Sequence, residues 1–390
     1  MFKPIETRQV EQILAKLVGF DTTSCKPNRA CIDFIRDYLE GFGVKSTIVA
    51  DEGGGKACLW ATIGEGKQSG VALAGHTDVV PVDGQKWLSD PFTLTERDGK
   101  FFGRGTADMK GFIACALALV PEFLAAKTGT CFHLALTCDE ETDMSGAVRL
   151  TDYLAAQGIK PQWMWVGEPT GLSIVDQHKG VAAYQTSITG VSGHSSQPDK
   201  GINAIELAAQ FMGIIMDVAE EKKAEPFTDS RFDPSYTTFN LGTITGGSAE
   251  NIIAGSCEIL WQVRAHPGDT AQATVADIEN RARISIGPRF AAFAPQAGME
   301  TCVHIDIPPF LATADNLGAK TLKRLLKCEH TEAVGFGTEA GIFQKLGASA
   351  IVCGPGFLDQ AHQPNEFVDK KQLAACVDLM WEVLLSSPTL

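Results

Sequence analysis

The sequence predicts an α/β protein interrupted by a smaller α+β unit. Three observations carry the prediction. Apolar runs of strand length alternate with amphipathic helical stretches up to residue 166. From residue 181 to 307 the order becomes strand–helix–strand–strand–helix–strand, that of a ferredoxin-like unit, and its strands alternate as half-exposed antiparallel strands do. After residue 307 the βα pattern resumes. The middle unit therefore reads as an insertion, expected over 182–307, inside an outer domain made of 1–181 and 308–390.

In chain order, residues 6–20 carry an apolar stripe at Val10, Ile13, Leu14, Leu17 and Val18, which is helical spacing. Asp21 to Cys25 is a turn. Residues 30–41 form a second amphipathic helix, with Gly41 and Gly43 at its stop. Strands are expected at 44–49, 57–63 and 71–74, followed by loop residues around Pro81, Asp83, Gly84 and Pro91. The run 113–120 is apolar on nearly every side and reads as a buried helix. Strands follow at 131–137 and 164–166. In the insertion, 181–191, 237–244, 252–264 and 301–307 read as strands, 203–222 as a long helix with Asn203 as N-cap, and 270–285 as a helix. Beyond it come a helix at 317–327, a polar loop holding Thr338 and Glu339 that leads into another helix, a strand at 350–353 and a last helix at 371–385.

Composition narrows the functional classes. Of 390 residues, 44% are hydrophobic and 21% charged, so a sizeable core is available. The net charge of −14 supplies no basic footprint for nucleic acid. No apolar run is long enough to cross a bilayer, so no membrane partner is expected. The opening Met-Phe-Lys-Pro-Ile-Glu lacks the apolar core of a signal peptide. Eleven cysteines, without a Cys-x-x-Cys pair, read as reduced thiols in a cytoplasmic protein.

Unusual residues gather where the predicted strands end. The run 71–80 delivers His76 and Asp78, two apart and so on one face of an extended backbone. A metal-bound imidazole usually passes its other N–H to a carboxylate or carbonyl, so His76 suits a ligand and Asp78 its orienter. An isolated His-x-Asp more often marks a strand that ends in a polar turn. The glycine-rich stretch Phe101 to Gly111 leads Asp108 into the buried helix, with neither the Walker nor the dinucleotide spacing. Strand 131–137 runs into Cys138-Asp-Glu-Glu-Thr142; three acids in a row are usually a solvated loop, but here they directly follow a buried-looking strand. Strand 164–166 runs into Gly167-Glu-Pro-Thr170, and His362 lies just past strand 350–353. Recurrence carries the argument, because sites in open α/β sheets collect at the strands' C-terminal ends.

Collected, His76, Asp108, Glu140, Glu141, Glu168 and His362 offer imidazoles and carboxylates without thiolates, a donor set for catalytic zinc or cobalt. One ion takes about three protein ligands plus water, so five candidate ligands suggest two ions sharing one. A carboxylate bridges two ions and a neutral imidazole does not, which makes Asp108 the natural shared ligand. Of two adjacent glutamates, one can bind metal while the other takes a proton from water.

The segments Gly75-His-Thr-Asp78, Gly103-Arg-Gly-Thr-Ala-Asp-Met-Lys-Gly111, Asp139-Glu-Glu-Thr142, Gly167-Glu-Pro-Thr170, Gly193-His-Ser-Ser-Gln-Pro198 and Gln360-Ala-His-Gln-Pro364 resemble, in order, the dizinc aminoacylase and exopeptidase family. The resemblance implies a zinc-exopeptidase-like domain, a mixed sheet flanked by helices, with the insertion as lid and homodimerisation domain. It implies two Zn2+ ions, with Co2+ as a substitute. His76, Asp108 and Glu168 would hold one ion, and Asp108, Glu141 and His362 the other. Glu140 would be the general base, Asp78 the orienter of His76, and the bond after Asp108 cis.

Resemblance also assigns residues that the pattern alone leaves bland. His194, in a Gly/Ser loop, reads as a surface histidine; the family's lid histidine steadies the oxyanion, often in the partner subunit's site. Arg264 suits a surface ion pair; by resemblance its planar fork grips the substrate α-carboxylate, with Asn251 beside it. His133, His178, His266, His304 and His330 read as structural or surface residues. The segments Gly337-Thr-Glu-Ala-Gly341 and Cys353-Gly-Pro-Gly356 look most like the acetylornithine deacetylase branch. Thr338 and Glu339 are thus expected at the substrate, and the expected reaction is hydrolysis of N2-acetyl-L-ornithine in arginine biosynthesis. A succinyl-diaminopimelate desuccinylase, another N-acyl-amino-acid hydrolase or a dipeptidase are the alternatives. A homologue that only binds would have no need of the Asp139-Glu140-Glu141 run.

Overall fold

The computed structural model describes residues 7–65, 70–229 and 231–386. The chain divides into two compact units, Met1–Asp176 with Leu311–Glu332 and Thr338–Leu390, and Gln177–Phe310 with Ala333–Gly337. The principal strands are, in chain order, β1 (Ser46–Ala50), β2 (Ala57–Gly64), β3 (Val71–His76), β4 (Cys131–Thr137), β5 (Trp163–Val166), β6 (Val181–Thr189), β7 (Thr238–Gly246), β8 (Ser256–Arg264), β9 (Gly298–Ile307) and β10 (Ser349–Val352).

The first unit is built on the run β1-β2-β4-β3-β5-β10 of a larger mixed sheet. β1, β2 and β4 pair antiparallel. β4, β3, β5 and β10 pair parallel. β3, β4 and β5 are buried at every residue, as strands covered on both faces must be. Their run of Val, Ala, Leu and Phe lacks period-two alternation for the same reason. Helices Thr7–Val18, Arg29–Glu40, Lys110–Ala126 and Lys370–Ser386 share one core with the sheet, containing Leu14, Ile35, Leu117, Phe132, Trp165 and Met380. Parallel strands end on one edge, so the residues that follow β3, β4, β5 and β10 emerge side by side.

The second unit has the order β6–helix–β7–β8–helix–β9, with helices Ala204–Lys223 and Ala271–Ser285. Its sheet runs β7-β8-β6-β9, antiparallel throughout, the ferredoxin-like arrangement. The helices cover one face, burying Tyr184, Phe211, Trp261 and Ile278. Along β8 exposed and buried residues alternate accordingly. Asn203 caps its helix by accepting the Ile205 and Glu206 N–H groups at 3.0 and 3.4 Å.

Several features depart from the expected elements. The strand expected over 252–264 begins at Ser256, because Ile253 and Ala254 are buried as loop residues. Helix Ser145–Ala156 has no counterpart in the expected elements, although Ala147, Leu150 and Leu154 give it a buried stripe. Strands Thr95–Arg97 and Lys100–Phe102 form a hairpin extended by Phe367–Asp369. Three-residue strands are too short for periodicity to register, and this third strand comes from the far end of the chain.

Candidate metal centre

His76 closes β3. Its Nδ1 lies 2.9 Å from the Asp78 backbone carbonyl, which can only accept, so Nδ1 carries a proton and Nε2 is the nitrogen turned towards the cluster. The Asp78 carboxylate stands 3.6 Å from that Nδ1, beyond hydrogen-bond reach. It accepts instead from the Ser24 hydroxyl at 2.9 Å and from the backbone N–H groups of Glu140 and Glu141 at 3.2 and 3.3 Å. Asp78 thus meets His76 through its main chain, while its side chain holds the loop that follows β4. Lys56 pairs with Asp139 at the start of that loop and donates to the Ser24 carbonyl.

Asp108 stands at the entry to helix Lys110–Ala126, and its bond to Met109 is cis. Its Oδ1 is 3.0 Å from His76 Nε2 and its Oδ2 is 3.2 Å from His362 Nε2. His362 Nε2 is also 3.0 Å from Glu141 Oε2. Glu168 follows β5 after Gly167, where a Cβ would meet the Phe112 ring at 2.1 Å, so only glycine lets the chain turn there. Three groups of donor atoms lie within 4.8 Å of one another: His76 with Asp108 and Glu168, Asp108 with Glu141 and His362, and His76 with Glu140 and Glu141. The first two share Asp108.

The electrostatics are those of a cation site. Burial, then the charge of Glu168, pushes the Glu140 carboxyl well above its ordinary range. Burial, then the charge of Asp108, does the same to Glu168, and Glu141 is raised as well. Burial opposes ionisation of Asp108 too, but hydrogen bonds from His362 and His76 hold it below the usual carboxylate range. Those to Asp108 and Glu141 raise His362 to about 10. Glu168 Oε1 is buried without a hydrogen-bond partner. An orphaned carboxylate oxygen amid like charges is what a divalent ion would satisfy, so the donor set fits a pair of metal ions.

The remaining expected residues fall in two places. Thr338 and Glu339 lie on the first unit and are fully buried, not in an open polar loop. Thr338 Oγ1 accepts the Ala340 N–H at 3.1 Å, while both Glu339 oxygens lack a hydrogen-bond partner and burial raises the carboxyl to about 7. His194, Asn251 and Arg264 lie on the second unit. His194 is exposed, with Nδ1 2.8 Å from Ser196 Oγ, and pairs through its backbone with Ile252, next to Asn251. Arg264 ends β8 and donates from Nε to Gln262 at 3.0 Å. One further pair lies behind the cluster: Arg104 and Glu366, each 1% exposed, with Nη1 and Oε2 2.7 Å apart. Glu366 follows His362 in a polar stretch, and its only sequence signal is a charge placed just before apolar Phe367 and Val368.

The sequence pattern of peptidase family M20/M25/M40 matches residues 72–386. The chain is 36% identical over 358 residues to an acetylornithine deacetylase of Pasteurella multocida, covering 92% of this chain and 91% of that protein. Its fold is similar to that of a tripeptidase from Staphylococcus aureus, with a TM-score of 0.75, 19% identity and 99% of each chain covered. It is also similar to a Bacillus subtilis protein described as a dinuclear metal binding peptidase, with a TM-score of 0.65, 16% identity and 97% of each chain covered.

Proposed function

This chain belongs to peptidase family M20/M25/M40 and is a metal-dependent amide hydrolase; from that premise we propose that it hydrolyses N2-acetyl-L-ornithine to L-ornithine and acetate, in arginine biosynthesis. The observation that carries the reaction type is the pair of donor sets sharing Asp108, with a further glutamate, Glu140, against them. Likeness to an acetylornithine deacetylase favours this substrate. So does Glu339, a buried carboxylate without a partner, suited to the substrate's δ-ammonium.

When bound, two zinc ions, or cobalt in their place, supply Lewis acidity to the amide carbonyl and the attacking water. In the proposed assignment His76, Asp108 and Glu168 hold one ion, and Asp108, Glu141 and His362 the other. Glu140 accepts a proton from the attacking water as the new C–O bond forms. It then delivers that proton to the nitrogen as the C–N bond breaks. Asp78 holds the Glu140 N–H and so fixes the base's backbone. Arg264 and Asn251 are proposed for the α-carboxylate, and His194 for the oxyanion. A cytoplasmic homodimer through the second unit completes the reading. In its favour are Ile244, Leu260 and Val303, which that unit exposes by 49, 39 and 58%. No helix among the described residues is long and apolar enough to cross a membrane.

The test is a substrate panel on purified, zinc-reconstituted protein: N2-acetylornithine, N-acetylmethionine, N-succinyl-diaminopimelate and a dipeptide. The highest kcat/KM is expected for acetylornithine, with ornithine and acetate as products. A clear preference for the succinyl substrate or the dipeptide would overturn the substrate assignment.

A further inference from the structure

Glu366 is a carboxylate outside the cluster whose every strong contact goes to the loop that delivers Asp108. Its Oε1 accepts the backbone N–H groups of Ala107 at 2.9 Å and Asp108 at 3.1 Å. Its Oε2 accepts the Gly105 N–H at 3.0 Å and Arg104 Nη1 at 2.7 Å. Its backbone carbonyl accepts the Gly103 N–H at 3.0 Å. Successive N–H groups converging on one anion form a nest, and the loop can wind this way because Gly105 stands at φ +85°.

Arg104 carries the network onward. Its Nη2 donates to Gln85 Oε1 at 2.6 Å, and Gln85 Nε2 donates to the His362 backbone carbonyl at 2.9 Å. Asn365 Oδ1 accepts the Leu88 N–H at 2.7 Å. His362 itself holds φ +61°, a conformation that a non-glycine residue keeps only when its surroundings enforce it. The loops bearing Asp108 and His362 are therefore fastened to one another through a single buried ion pair.

We infer that Glu366 and Arg104, with Gln85, position Asp108 and His362 for the cation they share, an inference that rests on the two-ion reading above. None of the three is among the donor groups of the cluster, so they are positioning residues. The ion held by Asp108, Glu141 and His362 depends on both links. The ion held by His76, Asp108 and Glu168 depends on Glu366 alone. A pair that merely stabilised the fold would not divide the two ions in this way.

The experiment is zinc titration of metal-free wild type, Gln85→Leu and Glu366→Gln against a chromophoric chelator, with circular dichroism to confirm folding. Wild type binding fewer than two ions per chain would overturn the two-ion reading, and the inference with it. With two ions bound, Gln85→Leu should weaken one of them by about 10–100-fold, the usual effect of losing a group that orients a ligand, and leave the other unchanged. Glu366→Gln, if folded, should weaken both. If it does not fold, Gln85→Leu, a half-buried substitution, decides alone. Unchanged dissociation constants for both ions in folded Gln85→Leu would overturn the inference while the two-ion reading stands.

Discussion

His76 and His362, from opposite ends of the chain, meet opposite oxygens of one carboxylate, that of Asp108, at 3.0 and 3.2 Å. Removing either imidazole therefore breaks a different donor set. His76→Ala and His362→Ala should each retain about one ion per chain, and Asp108→Ala about none, since one ion requires about three protein ligands. Elemental analysis of the purified variants measures this. Two ions in both histidine variants would dismantle the cluster.

Glu140 and Glu141 are neighbours with different surroundings. Glu141 meets His362 at 3.0 Å, whereas Glu140 is grouped with His76 and Glu141. Glu140→Gln should keep its metal and lose turnover by at least about 10²-fold, the usual contribution of a general acid–base. Steady-state kinetics alongside metal content is the measurement. A variant that loses metal yet keeps its activity per bound ion would show that the two glutamates have exchanged roles.

Glu339 is fully buried with both oxygens unpartnered, and a cationic substrate group would relieve that state. A charge-assisted hydrogen bond of about 1.5–3 kcal/mol corresponds to about 10–150-fold in rate. Glu339→Gln should lower kcat/KM for acetylornithine by that factor and leave N-acetylmethionine nearly untouched. Equal losses on both substrates would assign Glu339 to packing or to the metal centre.

His133 links the fold to pH. It is 1% exposed, stacks on Trp60 at 4.8 Å, and lies with Nδ1 2.9 Å from Thr62 Oγ1, while Nε2 has no partner. Burial lowers its pKa from 6.5 to about 4. Because the folded value is the lower one, its contribution to stability is complete above pH 6.5 and is lost as pH falls towards 4. The loss amounts to about 3 kcal/mol. Urea unfolding of wild type and His133→Gln across that interval should show wild type losing that much more. Parallel curves would refute the assignment.

The gathering of these side chains was legible because the first unit repeats one device. Each of β3, β4, β5 and β10 is an apolar run followed by a His or an acid, and a parallel sheet carries those ends to one edge. Lateral support was not legible. Glu366 sits in an ordinary polar stretch, and its partners Arg104 and Asp108 lie more than 250 positions away, linked by no period or spacing. The orientation of Asp78 was hidden too, since a sequence cannot say whether a main chain or a side chain will meet His76. Glu339 looked like a loop residue because burial of a Gly-flanked turn depends on what packs over it.

The order of the sheet also bears on how the molecule is made. β10 pairs with β5, Ser349 opposite Trp163 through Val352 opposite Val166. Translation at about 5–20 residues per second leaves roughly 10–40 s between the emergence of the two strands. Throughout that interval the outer edge of β5 is an open template for association in the nascent chain. Lacking His362 as well, that chain holds an unfinished cluster. The same late segment covers the edge of β5 and completes the donor set, so a ribosome that stalls before it leaves a product with an open strand edge and a donor group short.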